Sequence, residues 1–208
     1  MRFSSMFLLT CSLAMGCSES MTTSSTEGGG GSTTSEGGGG SGAGTSIGGS
    51  GGGSAAIVIN EIRATGDDYV ELFNPGDSAV DLSNYGVTDS LDTGEPKLEE
   101  VARFPAGTNL GAGKYLVLVA EQDPADGVGP HDTCLPDGGP SSCFYSSWGI
   151  SASNGEKLFL LSPGDDIESE VEYPMDAVPD GSTWGRLPDG KGNFAENAPT
   201  PGEPNEAP

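Results

Sequence analysis

Four aspartates stand in segments that turn residues mark as loops. Asp67 and Asp68 directly follow one glycine, and Asp165 and Asp166 directly follow another. Carboxylate oxygens are the hard ligands that Ca²⁺ prefers, so these residues are candidates for a calcium site. Their order does not follow the EF-hand pattern, and a solvated acidic surface that keeps the chain soluble is the alternative. No other cofactor is expected, and the single histidine, His131, excludes sites that need two histidines.

Cys17 ends a short apolar segment near the N-terminus. Arg2 precedes an apolar run over residues 6–15, which is typical of an export signal and too short to span a bilayer as a helix. The run ends in LAMGC over residues 13–17, which resembles the lipobox of bacterial lipoproteins. The resemblance implies that residues 1–16 are a signal peptide and that Cys17 carries a diacylglyceryl group. An ordinary cleaved signal peptide without a lipid is the alternative.

Residues 17–54 have the composition of a flexible tether. They are almost entirely Gly, Ser, Thr and Glu, and EGGGGS occurs at both 27–32 and 36–41. Such a segment offers few side chains to pack and a large backbone entropy to lose. We therefore predict a disordered linker here and a single folded domain over residues 55–205.

The charge of the chain is strongly negative. It has 31 acidic residues against 8 Lys and Arg, a net charge of −23. A field of this sign repels phosphate backbones and anionic membrane surfaces. Nucleic acid is therefore excluded as a partner, and contact with a membrane is expected only through the lipid anchor.

Cys134 and Cys143 lie in a loop-like stretch that also contains Pro and Gly. In an exported protein, two such cysteines most simply form a disulfide bond. A redox or metal pair is the alternative, but the C-x-x-C spacing is absent. His131 lies close enough in sequence to suggest a Cys–His nucleophile, yet a disulfide would hold the thiol oxidised. We expect the bond to pin a loop inserted between strands, and we predict no catalytic residues.

Glu61 and Glu71 fall inside apolar runs. The sequence predicts that each carboxylate either points to solvent or pairs with one of the few cations, such as Arg63, Arg103 or Arg186. A glycosidase pair is a further alternative, but it would need a cleft that the sequence does not reveal.

Four aromatic residues in the second half of the chain could bind sugar rings. Trp148 and Trp184, with Phe144 and Tyr145, could form a stacking platform. Packing in a core is the alternative, and it is the commoner role of aromatic side chains in a β-sandwich.

The elements that must position these residues are short strands. Apolar runs rich in β-branched residues alternate with Gly, Pro, Asn and Asp turns from residue 55 onward. The clearest strand covers residues 167–173, where alternation places three glutamates on one face and Ile167, Ser169, Val171 and Tyr173 on the other. No window carries a helical apolar stripe, so we predict an all-β sandwich.

The order of several motifs resembles a lamin-tail domain. The motifs are INEI (59–62), YVELFN (69–74), VDLSNY (80–85), FPAGT (104–108), LGAGKYLVL (110–118), NGEKLFLL (154–161), STWGRLPDG (182–190) and PTPGEPN (199–205). The resemblance implies an immunoglobulin-like β-sandwich without a known catalytic site. Bacterial members accompany secreted or surface proteins and are taken to be interaction modules.

Together these observations predict a non-enzymatic binding or structural module of the bacterial cell envelope. It would be exported and held on a lipid-anchored tether, at the outer membrane or the cell surface. Its expected partner is a protein or polysaccharide of the envelope. The alternative is an adhesin-like module that binds polysaccharide with the help of calcium.

Overall fold

The protein was analysed as a computed structural model that describes residues 56–136 and 139–208. Within these ranges the chain forms twelve strands and two single-turn 3-10 helices, Leu98–Glu100 and Pro124–Asp126. The strands are β1 (Val58–Arg63), β2 (Tyr69–Phe73), β3 (Val80–Asp81), β4 (Gly86–Asp89), β5 (Ala102–Arg103), β6 (Asn109–Leu110), β7 (Tyr115–Val119), β8 (Phe144–Tyr145), β9 (Glu156–Leu161), β10 (Ile167–Tyr173), β11 (Thr183–Leu187) and β12 (Asn193–Asn197). None of the helical segments described is long and apolar enough to cross a membrane.

The strands form two main sheets that enclose one apolar core. The first sheet has the order β12-β11-β1-β2-β7-β8, and the second has the order β10-β9-β4-β5. Pairing is antiparallel except between β7 and β8, and β3 pairs with β6 in a small separate sheet. Buried residues of both main sheets, such as Ile62, Leu72, Leu158 and Leu160, meet in the core. The predicted immunoglobulin-like β-sandwich is confirmed.

Strand β10 shows how alternation in the sequence produces this arrangement. Val171 and Tyr173 are buried in the core, whereas Glu168, Glu170 and Glu172 are exposed. β10 is an edge strand of its sheet, and charged side chains on an edge discourage pairing with another chain. The predicted solvent face of the three glutamates is therefore confirmed. The prediction that Ile167 shares the inward face was wrong, because the register shifts between Ile167 and Ser169, so that Ile167 pairs with Leu161 and is half exposed.

A second apolar cluster lies on the other side of the six-stranded sheet. It contains Tyr69, Val117 and Val119, and the loop between β7 and β8 packs on it through Cys134 and Cys143. These cysteines form the predicted disulfide bond, with their Cα atoms 5.7 Å apart. The bond therefore fastens an inserted loop against the sheet.

Candidate ligand-binding cleft

Polar side chains of three neighbouring strands meet at one end of the sandwich. Asp89, at the end of β4, pairs with Leu158 of β9, and Glu156, at the start of β9, pairs with Tyr173 at the end of β10. Side chains alternate along a strand, and directly paired residues face the same side. Because Leu158 is a core residue, Asp89, Glu156 and Tyr173 all face inward. The core-facing surface of this sheet thus changes from apolar to polar at its end.

These three residues line a cleft with a volume of about 600 Å³. Gly155 permits the close approach of β9 and β10 at this point. It has a φ of +67°, and a Cβ atom at this position would lie 2.7 Å from the backbone nitrogen of Met175. Only glycine fits such a conformation and such a contact without strain. The cleft is therefore bounded by backbone that leaves little room for substitution.

The Asp89 carboxylate has one occupied and one unoccupied oxygen. The residue is 6% exposed, and Lys97 donates from Nζ to Oδ2 at 3.0 Å. Lys97 also contacts Glu100 Oε2 at 3.2 Å. No residue in the described ranges donates a hydrogen bond to Asp89 Oδ1, which is buried. Leaving a buried acceptor unpaired costs about 1–3 kcal/mol.

Tyr173 presents a second polar atom of this kind. The residue is fully buried, and its hydroxyl has no hydrogen-bond partner among the residues that the structure describes. Burial raises the pKa of this phenol, and the charges of Asp68 and Asp176 raise it further. Other buried polar atoms without a described partner exist, such as the Trp148 indole nitrogen. Only those of Asp89 and Tyr173 belong to residues that line the cleft.

Glu156 provides a carboxyl group that titrates near neutral pH. Its Oε1 accepts a hydrogen bond from the Ser151 backbone nitrogen at 2.7 Å. Burial raises the pKa of Glu156 to about 7, and the charges of Asp89 and Asp68 act in the same direction. Burial also raises the pKa of Asp68 to about 6, against a hydrogen bond from the Ile150 backbone nitrogen at 3.2 Å. Burial, more than neighbouring charge, therefore brings the titration of both carboxyl groups close to neutral pH.

The sequence interpretation missed Asp89, Glu156 and Tyr173 as site residues. Their signal was alternation: Asp89 lies two residues after the core residue Val87, and Glu156 lies two residues before the core residue Leu158. A polar residue in phase with a core face at the end of a strand indicates a polar opening of the core. Which strands bring these residues together depends on the strand order, which the spacing does not reveal.

Glu61 and Glu71 form a second polar centre, on the outer face of the six-stranded sheet. They pair directly across β1 and β2, and both are fully buried. Tyr69 donates to Glu61 Oε2 at 3.0 Å, and Thr183 donates to Glu61 Oε1 at 2.6 Å. The Gly202 backbone nitrogen donates to Glu71 Oε2 at 2.7 Å. The prediction that these carboxylates point to solvent or pair with arginine was wrong, because neutral donors surround them.

This carboxylate pair fastens the end of the chain to the sheet. The Thr200 backbone nitrogen donates to Glu61 Oε1 at 3.2 Å, and Asn205 donates from Nδ2 to the Asn60 carbonyl at 3.3 Å. Burial raises the pKa of Glu61, and it raises the pKa of Glu71 well above its ordinary value. Residues 198–206, hereafter the closing segment, cover the pair. We interpret the role of the pair as structural, because it holds the closing segment against the sheet.

The calcium candidates are not brought together. Asp67 and Asp68 lie in the loop between β1 and β2. The charge of Asp68 raises the pKa values of Glu156 and Tyr173, which line the cleft. Asp165 and Asp166 lie in the turn at the opposite ends of β9 and β10, and Asp165 forms an ion pair with Arg103. In the described part of the chain, no group of three or more His, Cys, Asp or Glu side chains could hold a metal ion. Calcium binding stays a prediction, and Cys17 lies outside the described residues.

The four aromatic candidates for sugar binding form no exposed platform. Trp148 and Phe144 are core residues, Tyr145 is buried in the second cluster, and Trp184 is partly buried against the core. Trp184 stacks on Phe194 with ring centroids 6.2 Å apart. These side chains therefore pack in or against the apolar clusters, which was the alternative to a sugar-binding platform.

Comparison with known proteins agrees with this architecture. The family model described as Lamin Tail Domain matches residues 52–172, which is more than half of the 208-residue chain. A search of curated proteins finds no match. The match covers all but the last residue of β10, whereas β11, β12 and the closing segment follow it. The chain belongs to the lamin tail domain family.

Proposed function

We propose that this chain is a non-catalytic binding module of the bacterial cell envelope, displayed on a lipid-anchored tether, and that it binds its partner in the cleft at the end of the sandwich. One observation carries the proposal: Asp89 and Tyr173 both line the cleft, and each has a buried polar atom, Oδ1 and the hydroxyl, that lacks a partner among the described residues. Buried polar groups in folded proteins are nearly always paired. A ligand in the cleft would supply both missing hydrogen bonds.

Family membership and the sequence support the remaining parts of the proposal. A lamin tail domain is an immunoglobulin-like fold compatible with a role other than catalysis. The lipobox-like residues 13–17 and the Gly/Ser/Thr-rich residues 18–54 support export, lipid attachment and a tether.

Binding is tested with the full chain in detergent, incubated with washed envelope material of the producing cell. Wild type and Glu170→Gln should be retained, because Glu170 lies on the exposed face of β10. Asp89→Asn should be retained at least tenfold less, and Tyr173→Phe about threefold to tenfold less. Equal retention of all four proteins would refute the cleft as the binding site.

Further treatments in the same experiment identify the chemical class of the partner, and a separate variant tests the lipid anchor. Protease treatment of the envelope material should abolish binding to a protein partner, whereas periodate should abolish binding to a polysaccharide, the alternative function. A requirement for added Ca²⁺ would support the calcium-dependent form of that alternative. Cys17→Ala should move the protein out of the membrane fraction, and unchanged partitioning would exclude the lipid anchor.

A further inference from the structure

We propose that the cleft binds a primary ammonium group, of the kind carried by a lysine side chain or a free diamine. The inference rests on the proposed function, because it names the ligand chemistry of the same site. It is drawn from the acceptors that line the cleft, from their charge and from the apolar side chains at its rim.

The acceptors match the donors of an ammonium in number. A primary ammonium has three N–H donors and no acceptor. Asp89 offers Oδ1, Tyr173 offers its hydroxyl oxygen, and Glu156 offers Oε2, since Oε1 accepts from Ser151. Glu156 and Tyr173 pair directly, so their Cβ atoms lie about 5 Å apart, and Asp89 is the diagonal neighbour of Glu156 at about 7–8 Å. The three side chains therefore lie on one face at the same end of the four-stranded sheet.

Charge favours a cation over an anion or a neutral sugar hydroxyl. The acidic residues that line the cleft are Asp89, Asp92, Glu156 and Glu172, and the basic ones are Lys97 and Lys157. Lys97 already demonstrates the mode of binding, because its ammonium lies 3.0 Å from the other oxygen of Asp89. An incoming ammonium would occupy Oδ1 in the same way and would offset the cost of burying an unpaired acceptor.

The rim of the cleft suits the methylene chain that carries such an ammonium. Leu91 and Met175 line the cleft and are 36% and 63% exposed. Long cationic side chains bury their methylenes against apolar surface while the charged head binds elsewhere. Side chains at the rim of the cleft can therefore hold the methylenes while its polar end holds the ammonium. A metal ion is disfavoured, since no described group of three acidic, His or Cys side chains could bind one.

The test titrates the full chain in detergent with Nα-acetyl-lysine methylamide and follows backbone amide signals by NMR. The signals of residues 89–91 and 155–157, and those of Tyr173 and Met175, should shift and saturate. The uncharged norleucine analogue should leave them unchanged at the same concentrations. Asp89→Asn should weaken lysine-probe binding at least tenfold and Tyr173→Phe about threefold to tenfold, whereas Glu170→Gln, which removes an exposed charge from the same sheet, should not alter it.

The outcomes separate the ligand class from the proposed function. Cadaverine binding more tightly than the lysine probe would identify a free diamine as the ligand, and the reverse would identify a protein side chain. Equal binding of the norleucine analogue, or equal weakening by Glu170→Gln, would overturn the ammonium proposal. Envelope retention that depends on Asp89 without any binding of the lysine probe would refute the ligand class alone. Retention independent of Asp89 would refute the cleft itself.

Discussion

Two buried tyrosines allow a paired test of the cleft. Tyr173 and Tyr69 are both fully buried, and replacing either with phenylalanine removes one oxygen atom and leaves the ring. The Tyr173 hydroxyl has no partner in the described part of the structure. The Tyr69 hydroxyl, in contrast, donates to Glu61 Oε2 at 3.0 Å. The same chemical change should therefore have opposite effects on stability at the two positions.

The magnitudes follow from the hydrogen bonds. Removing the unpaired Tyr173 hydroxyl should raise the free energy of unfolding by about 1–3 kcal/mol, the usual cost of a buried unpaired polar group. Removing the Tyr69 hydroxyl breaks a buried hydrogen bond to a carboxyl and should lower that free energy by about 1–3 kcal/mol. For a domain of this size, each kcal/mol corresponds to roughly 2–4 °C in Tm.

Urea unfolding of both variants and of wild type, without ligand, measures this difference. A loss of stability in Tyr173→Phe comparable to that in Tyr69→Phe would mean that the Tyr173 hydroxyl is satisfied within the protein. The argument for a ligand in the cleft would then fail. A gain of stability combined with weaker envelope binding would identify the hydroxyl as a group retained for binding.

Three further outcomes are expected. Reducing the disulfide bond, whose cysteines are 9 positions apart, should lower the free energy of unfolding by about 2.7 kcal/mol in the chain-entropy treatment, as measured by urea unfolding with and without dithiothreitol. Asp68 and Glu156 have pKa values raised to about 6 and about 7 by burial, so the folded state binds their protons more tightly than the unfolded state. The resulting contribution to the free energy of unfolding is present at low pH and is lost as the pH rises through 6 and 7. Because glutamine does not titrate, Glu156→Gln should reduce the fall in the free energy of unfolding between pH 5 and pH 8, as measured by urea unfolding at each pH. Gly185→Ala should destabilise the protein by about 1–3 kcal/mol and expose the closing segment to limited proteolysis. Its Cβ atom would lie 2.5 Å from the side-chain nitrogen of Asn197 and 2.9 Å from that of Asn205 in the closing segment. Gly164→Ala, with ordinary contacts of 3.7 Å, should have neither effect.

Each of these outcomes has a contrary result. Equal urea midpoints with and without reductant would mean that the loop is held without the disulfide. An unchanged pH dependence in Glu156→Gln would assign the proton uptake to other carboxyl groups. Wild-type protease resistance in Gly185→Ala would show that the closing segment tolerates displacement.

Alternation in the sequence was sufficient to predict the longest strand, β10. Residues 167–173 were predicted and observed as a strand with the same bounds. The two-residue strands β6 and β8 could not be predicted, because two residues carry no period. Strand β11 was not predicted as a strand, and its residues entered only as part of a family motif. Gly185 interrupts its pattern and lets Asn197 and Asn205 approach.

The carboxylates show a different limit of sequence reasoning. A polar residue within an apolar strand indicates a solvent face, and Glu61 and Glu71 follow that pattern. They are buried because a segment more than 130 residues later in the chain covers that face and supplies backbone donors. The local sequence pattern cannot reveal that the closing segment, so much later in the chain, covers this face. The disulfide could be predicted, since it depends on only two residues of one type.

The place of β1 in the sheet determines how the domain can bear mechanical load. The preceding chain enters at Val58, whereas the cleft lies beyond Arg63, at the other end of the strand. β1 is hydrogen-bonded to β2 on one side and to β11 on the other. With the proposed lipid anchor and cleft partner, a pull between the N-terminus and the partner would act along β1 and strain both rows of hydrogen bonds together. The domain should therefore resist extraction by shear instead of unzipping one bond at a time.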